Sequence, residues 1–268
     1  MSLIGPGRRS RRFAVCAAAV SLLLLAATGC TLSDIAFLNM PSAATGEGRT
    51  VDNLWRGAWI AAWVVGIFVW GLMIWAMIRY RKRSEELPSQ THYNIPIEVL
   101  YTVVPFVIIG VLFYFTVRDQ NQINRLSSRP DVRVEVVGFQ WSWQFNYVDR
   151  GVSVVGRPGN FPQLVLPAGR TVRFELRSPD VIHSFWVPQF LFKRDVIPGR
   201  VNQFEIKADK EGTYAGKCAE FCGVDHSRML FSVKVVNPQQ FDRFIADAKA
   251  GKQPRGGGIV TTTAGSPS

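Results

Sequence analysis

Gly57-Ala-Trp-Ile-Ala-Ala-Trp-Val-Val-Gly-Ile-Phe-Val-Trp-Gly-Leu-Met-Ile-Trp-Ala-Met-Ile78 carries no charge, and Arg79-Tyr80-Arg81-Lys82-Arg83 follows at once. As a helix this run is about 33 Å long, enough to cross a hydrocarbon core of about 30 Å. Trp55, Trp59 and Tyr80 sit where interfacial aromatic rings belong. The cations after the run mark the cytoplasmic side, so this span, 57–78, runs from outside to inside. A second apolar run, 95–117, returns the chain to the outside. It contains Pro105, tolerated where neighbouring groups satisfy the freed carbonyl. It also carries Glu98 near its cytoplasmic end. Residues 55–118 therefore read as two transmembrane helices joined by a cytoplasmic loop.

Upstream, residues 1–29 read as a signal peptide. Arg8, Arg9, Arg11 and Arg12 precede an apolar stretch from Phe13 to Ala27. Ala27-Thr28-Gly29-Cys30 then offers the small residues a signal peptidase needs. A cysteine in that place resembles a bacterial lipobox and makes Cys30 a candidate lipid-attachment site. The alternative is an unmodified cysteine in an uncleaved anchor. Residues 30–54, with Pro41, Gly46 and Gly48, read as an exported linker.

Downstream of Arg118 the texture changes. Val132-Arg-Val-Glu-Val-Val and Thr171-Val-Arg-Phe-Glu-Leu alternate with period two, and Val201-Asn-Gln-Phe-Glu-Ile and Phe231-Ser-Val-Lys-Val-Val are similar. Each is short and bounded by turn formers, which predicts an antiparallel sandwich or barrel. Residues 241–268 read as a short helix, beginning near 239, and a disordered tail from Gly251. The net charge of the chain is +11. The basic residues are scattered along strands without a nucleic-acid motif, so no nucleic-acid partner is expected.

The chemistry concentrates in Cys218-Ala-Glu-Phe-Cys222-Gly-Val-Asp-His226-Ser-Arg-Met229, with His183 upstream. Thiolates, imidazoles and a thioether favour copper or zinc. A single blue-copper ion needs one cysteine, and here there are two. Two thiolates can bridge two copper ions, each capped by a histidine, with the methionine sulfur and a backbone carbonyl as weak outer ligands. Two alternatives stay open: a Cys218–Cys222 disulfide, which leaves His183, His226 and Met229 idle, and a Cys2His2 zinc site, which leaves Met229 idle.

The pattern Cys-x-Glu-x-Cys-Gly-x-x-His-x-x-Met resembles the binuclear copper loop of cytochrome c oxidase subunit II. Gly138-Phe-Gln-Trp141-Ser-Trp143, Lys193-Arg-Asp195-Val-Ile-Pro198-Gly199-Arg200 and Glu98-Val-Leu-Tyr-Thr-Val-Val-Pro105 extend the likeness over about residues 55–240. The resemblance implies a two-helix transmembrane hairpin followed by an all-β, cupredoxin-like Greek-key sandwich, with the copper domain at 119–240. It implies that Cys218 and Cys222 bridge two coppers and that His183 and His226 ligate one each. Met229 would be the weak ligand on one copper and the Glu220 carbonyl on the other. The Glu220 side chain would point to a magnesium or manganese shared with subunit I. Trp141 would be the point where electrons enter, or simply an interface residue. Glu98 would lie at the mouth of a proton-uptake route, or else reach to the cytoplasmic interface.

The implied function is electron transfer in a respiratory, proton-pumping oxidase of the bacterial cell membrane. Oxygen chemistry would reside in subunit I, with subunit III alongside. The segment after Arg118 is net basic, and steering of a cationic soluble cytochrome would be weak. A tethered c-type cytochrome, as in a supercomplex with a quinol:cytochrome c reductase, is therefore expected, and with the lipobox the chain resembles an actinobacterial-type lipoprotein. A quinol oxidase subunit would lack the copper ligands. A nitrous oxide reductase would need a large propeller domain. A copper-delivery lipoprotein would not need Glu98 or the Trp141 segment.

Overall fold

The structure is a computed structural model, and it describes residues 20, 37, 40–82, 90–157, 159–253 and 256–262. Cys30, the signal reading apart from residue 20, and loop residues 83–89 lie outside the described residues. The chain divides into a unit of residues 1–40 and a unit of residues 41–268, which holds every element described below.

Helix α1 spans Gly46–Arg79. Thr45 caps it, its hydroxyl accepting from the Gly48 N–H at 2.9 Å, and Glu47 lies in the positive first turn. The helix therefore begins well before the apolar span at 57. This corrects the reading of 30–54 as a linker throughout: Ala43, Ala44 and Thr45 are buried, and 46–54 is helical. Turn-forming Gly46 and Gly48 concealed a capped helix start. Helix α2 spans Ile95–Ile123, with Asn94 as its cap and a proline in its first turn. Both helices are long and apolar enough to cross a membrane, and they expose side chains such as Ile67, Phe68, Trp70, Phe106 and Phe113.

Among the described residues eleven strands follow: β1 Val132–Phe139, β2 Ser142–Tyr147, β3 Val152–Val155, β4 Gln163–Pro167, β5 Thr171–Arg177, β6 His183–Val187, β7 Phe192–Val196, β8 Asn202–Lys207, β9 Gly212–Cys218, β10 Leu230–Val236 and β11 Ile259–Thr262. One sheet has the order β11-β3-β2-β1-β5-β8 and the other β4-β10-β9-β6-β7. The expected β-sandwich is present. The pairings among these strands are antiparallel except for two: β1 runs parallel to β5, and β4 to β10. Those pairs join strands distant in sequence, which no hairpin constrains to run antiparallel.

Period-two patterning explains the faces. Val132, Val134 and Val136 of β1 point inward while Arg133 points out. The core between the sheets is aromatic. Phe174 stacks on Phe204 and Phe185 on Phe231, each pair with ring centroids 4.8 Å apart. Burial of each such ring contributes about 1.5–3 kcal/mol. Helix α3, Pro238–Lys249, lays Phe241, Ile245 and Ala248 against the sandwich. The tail from Gly251 is not disordered throughout: β11 pairs antiparallel with β3. Its Ile-Val-Thr-Thr run is β-branched and finds a free sheet edge to complete.

Candidate metal centre

Three loops at one end of the sandwich bring the chemistry together. The end of β9 and the segment after it carry Cys218 through Met229, with a 3-10 turn at His226–Arg228. The start of β6 places His183, and the β1–β2 turn places Gln140 and Trp141. Pairing of Phe185 with Cys218 across β6 and β9 brings the upstream histidine strand beside the cysteine loop.

The thiols of Cys218 and Cys222 are free and buried, their sulfurs 3.8 Å apart. A disulfide needs about 2.05 Å, so the two are not bonded to each other. His183 turns its Nδ1 to the Cys218 sulfur at 3.9 Å, and the Glu220 carbonyl lies 3.2 Å from that same sulfur. His226 turns its Nδ1 to the Cys222 sulfur at 3.6 Å, and Met229 Sδ lies 3.8 Å from it. The donor atoms of His183, Cys218 and Cys222 all fall within 4.8 Å of one another, a spacing that can hold a metal ion. His183 and Met229 are fully buried, while His226 is half-buried.

Electrostatics favour one thiolate over two. Burial pushes the Cys218 thiol up, but hydrogen bonding with His183 and the backbone of Glu220 and Ser184 outweighs this and lowers it. Burial and the neighbouring Cys218 charge both raise the Cys222 thiol. Burial also opposes protonation of His183, yet Cys218 and Asp180 together raise it above the usual imidazole value. A cation between the sulfurs would favour the Cys222 thiolate that burial and the neighbouring charge disfavour.

All the ligand candidates read from the sequence converge here. Trp141 stands beside them, donating its indole N–H to the Cys222 carbonyl at 3.1 Å. Gly223, at φ +118°, allows this approach, since a Cβ there would meet the Trp141 ring at 3.1 Å. The Glu220 side chain is exposed. Glu98 lies elsewhere, at the start of α2, where its carboxylate accepts from the Asn94 N–H at 2.9 Å. Sequence reasoning passed over Asp180 and Gln140. Asp180 accepts from His183 Nε2 at 2.9 Å, and Gln140 donates its side-chain amide to the Cys222 carbonyl at 2.8 Å. The one available signal was a carboxylate three residues before a histidine.

Comparison with known proteins agrees over most of the chain. A family profile described as cytochrome C oxidase subunit II, transmembrane domain, matches residues 33–118. A second, described as cytochrome C oxidase subunit II, periplasmic domain, matches residues 160–236. The chain is 47% identical to a probable cytochrome c oxidase subunit 2 of Streptomyces avermitilis, over 92% of this chain and 90% of that protein. It is 36% identical to cytochrome c oxidase subunit 2 of Mycobacterium tuberculosis, over 92% of this chain and 85% of that protein. Among solved structures, the periplasmic domain of subunit II of Bradyrhizobium japonicum cytochrome oxidase is 31% identical. It covers 47% of this chain and 98% of that chain, with a TM-score of 0.43. The chain belongs to the cytochrome c oxidase subunit II family.

Proposed function

We propose that this subunit receives electrons from a c-type cytochrome at a binuclear copper centre and passes them to the haem of subunit I. Oxygen would be reduced to water there, coupled to proton pumping. The observation that carries the reading is the partition of donors about the sulfur pair. Each cysteine sulfur has its own histidine Nδ1 and its own weak donor, the Glu220 carbonyl at Cys218 and Met229 at Cys222. A single tetrahedral zinc would leave both weak donors without a purpose.

The copper pair, when bound, would take up and release one electron shared over two metals. Cys218 and Cys222 would hold it through their thiolates, and His183 and His226 through imidazole nitrogens. Met229 and the Glu220 carbonyl would be the weak outer ligands. Strand ends β6 and β9 hold His183 and Cys218 in place, which would keep reorganisation small. Trp141 would present its ring to the donor, with its indole N–H already resting on the Cys222 carbonyl. The exposed Glu220 carboxylate would reach a magnesium or manganese shared with subunit I. Glu98 would stand at the start of a proton-uptake route. Its contact with the Asn94 N–H also supports a plain capping role.

The sandwich would face the extracytoplasmic side of a bacterial cell membrane, with two spans below it and Cys30 as a lipid anchor. Subunits I and III would pack on the exposed helix faces. The segment from Arg118 onward has 21 basic and 14 acidic residues. That excess supports a tethered cytochrome, as in a supercomplex with a quinol:cytochrome c reductase, over one steered by long-range attraction.

The test is electron paramagnetic resonance of the copper-loaded chain in detergent. A seven-line hyperfine pattern with two coppers per chain is the expected result. A four-line pattern with one copper, or a stoichiometric zinc, would remove the proposal.

A further inference from the structure

We infer that Asp180 and Gln140 are positioning residues for the metal pair, a bracket that holds His183 Nδ1 toward the sulfurs and sets the reduction potential of the centre. The inference rests on the copper-pair reading above and extends it to two residues outside the ligand set.

Asp180 is tied down before it meets the histidine. Its carboxylate accepts from the backbone N–H groups of Gln140 at 2.7 Å and Val181 at 2.6 Å. The same carboxylate accepts from His183 Nε2 at 2.9 Å. A neutral imidazole that donates from Nε2 must keep its lone pair on Nδ1, so this contact selects the tautomer that can ligate beside Cys218. His183 is 0% exposed, so in the folded chain its Nε2 meets the Asp180 carboxylate and not solvent.

Gln140 extends the hold to the other half of the site. Its backbone N–H fixes Asp180, while its side-chain amide donates to the Cys222 carbonyl at 2.8 Å. One residue of the β1–β2 turn thus links the first histidine's carboxylate to the second cysteine's main chain. A carboxylate on the far nitrogen of a ligating imidazole raises its basicity and stabilises the more positive, oxidised metal. Removing that charge should favour the reduced state.

The experiment uses the full chain in detergent, loaded with copper, comparing wild type with Asp180→Asn, Asp180→Ala and Gln140→Ala. Asp225→Asn is the charge control, since Asp225 faces Arg228 at 3.8 Å and is partly exposed. Copper affinity is measured by competition titration, reduction potential by spectroelectrochemistry, and histidine coupling by pulsed resonance. In Asp180→Asn the reduction equilibrium should move about tenfold toward the reduced pair, about 59 mV for one electron. Copper affinity of Asp180→Ala should fall about 10- to 100-fold. Gln140→Ala should shift the potential the same way but less, because its backbone donor survives. The bracket is overturned if Asp180→Asn keeps the wild-type affinity and potential, or moves no further than Asp225→Asn. Should Asp180→Ala fail to fold, the near-isosteric Asp180→Asn still decides. A wild-type chain without a shared-electron copper pair would overturn the functional reading and the bracket together. A normal wild type with an unmoved Asp180→Asn would overturn the bracket alone.

Discussion

Gly223 and Tyr147 show how single residues carry the architecture of the site end and of the core. At Gly223 the φ of +118° disfavours any side chain, and a Cβ would press on the Trp141 ring at 3.1 Å. Gly223→Ala should cost about 1–3 kcal/mol in stability. It should also slow reduction of the centre by its donor, because the Trp141 indole is pushed from the Cys222 carbonyl. Denaturation curves and stopped-flow reduction check this; an unaltered reduction rate would separate Trp141 from electron input. Tyr147 of β2 is fully buried, and its hydroxyl donates to the Val165 carbonyl and accepts from the Val165 N–H. Val165 lies on β4, the edge strand of the opposite sheet, so one hydroxyl satisfies edge groups that no strand reaches. Burial raises its ionisation far above the usual phenol range, and it stays neutral throughout working pH. Tyr147→Phe should lose about 1–3 kcal/mol by leaving both backbone groups unpaired, measurable by chemical denaturation.

Helix α1 is more than a membrane span. Its first turn and the residues just before it grip the sandwich: Ala44 N–H donates to the Gln189 carbonyl, Asp209 N–H to the Ala44 carbonyl, and Arg49 pairs with Asp209 at 2.6 Å. Glu47 accepts from the Lys207 N–H at 3.1 Å. Gly48 permits the close approach, since a Cβ there would lie 2.7 Å from the Phe190 carbonyl oxygen. Gly48→Val should detach this grip without unfolding the sheets. Hydrogen exchange should rise at Ala44 and Asp209 while the β1 and β5 amides keep their protection. Equal exchange at Ala44 in both forms would show that the contact does not hold α1. The grip matters at the element scale because it joins the first span directly to β8 and to the turn after β6, the strand that begins with His183.

The whole molecule combines an apolar hairpin with an exported domain of basic balance. Interactions among exposed charges fade over about 10 Å at 0.1 M salt, so partner choice by net charge is a low-salt effect. Oxidation of a soluble cationic cytochrome c by the assembled oxidase should therefore slow as salt is lowered, because the repulsion is less screened. Strong acceleration at low ionic strength would argue for an attractive patch and against a tethered donor. Orientation has its own check: a cysteine placed at Gln90 should be labelled from the cytoplasmic side only, and one at Arg157 from the outer side only.

Much of this was legible in the chain itself. The 57–78 and 95–117 runs announce helices because lipid demands uninterrupted apolar length. The strands β1, β5 and β10 declare themselves by alternation, because one face meets the core. The donor set is legible because Cys218, Cys222, His226 and Met229 are local in sequence. What tertiary structure alone decided is non-local. The parallel pairings of β1 with β5 and β4 with β10, the early start of α1 on the sandwich, and the added edge strand β11 depend on surfaces distant segments offer one another. The same holds for Asp180 and Gln140, whose hydrogen bonds exist only once the β1–β2 turn, the start of β6 and the cysteine loop meet. A sequence displays periodicity and donor chemistry; which side chain reaches which across a sandwich is settled by packing.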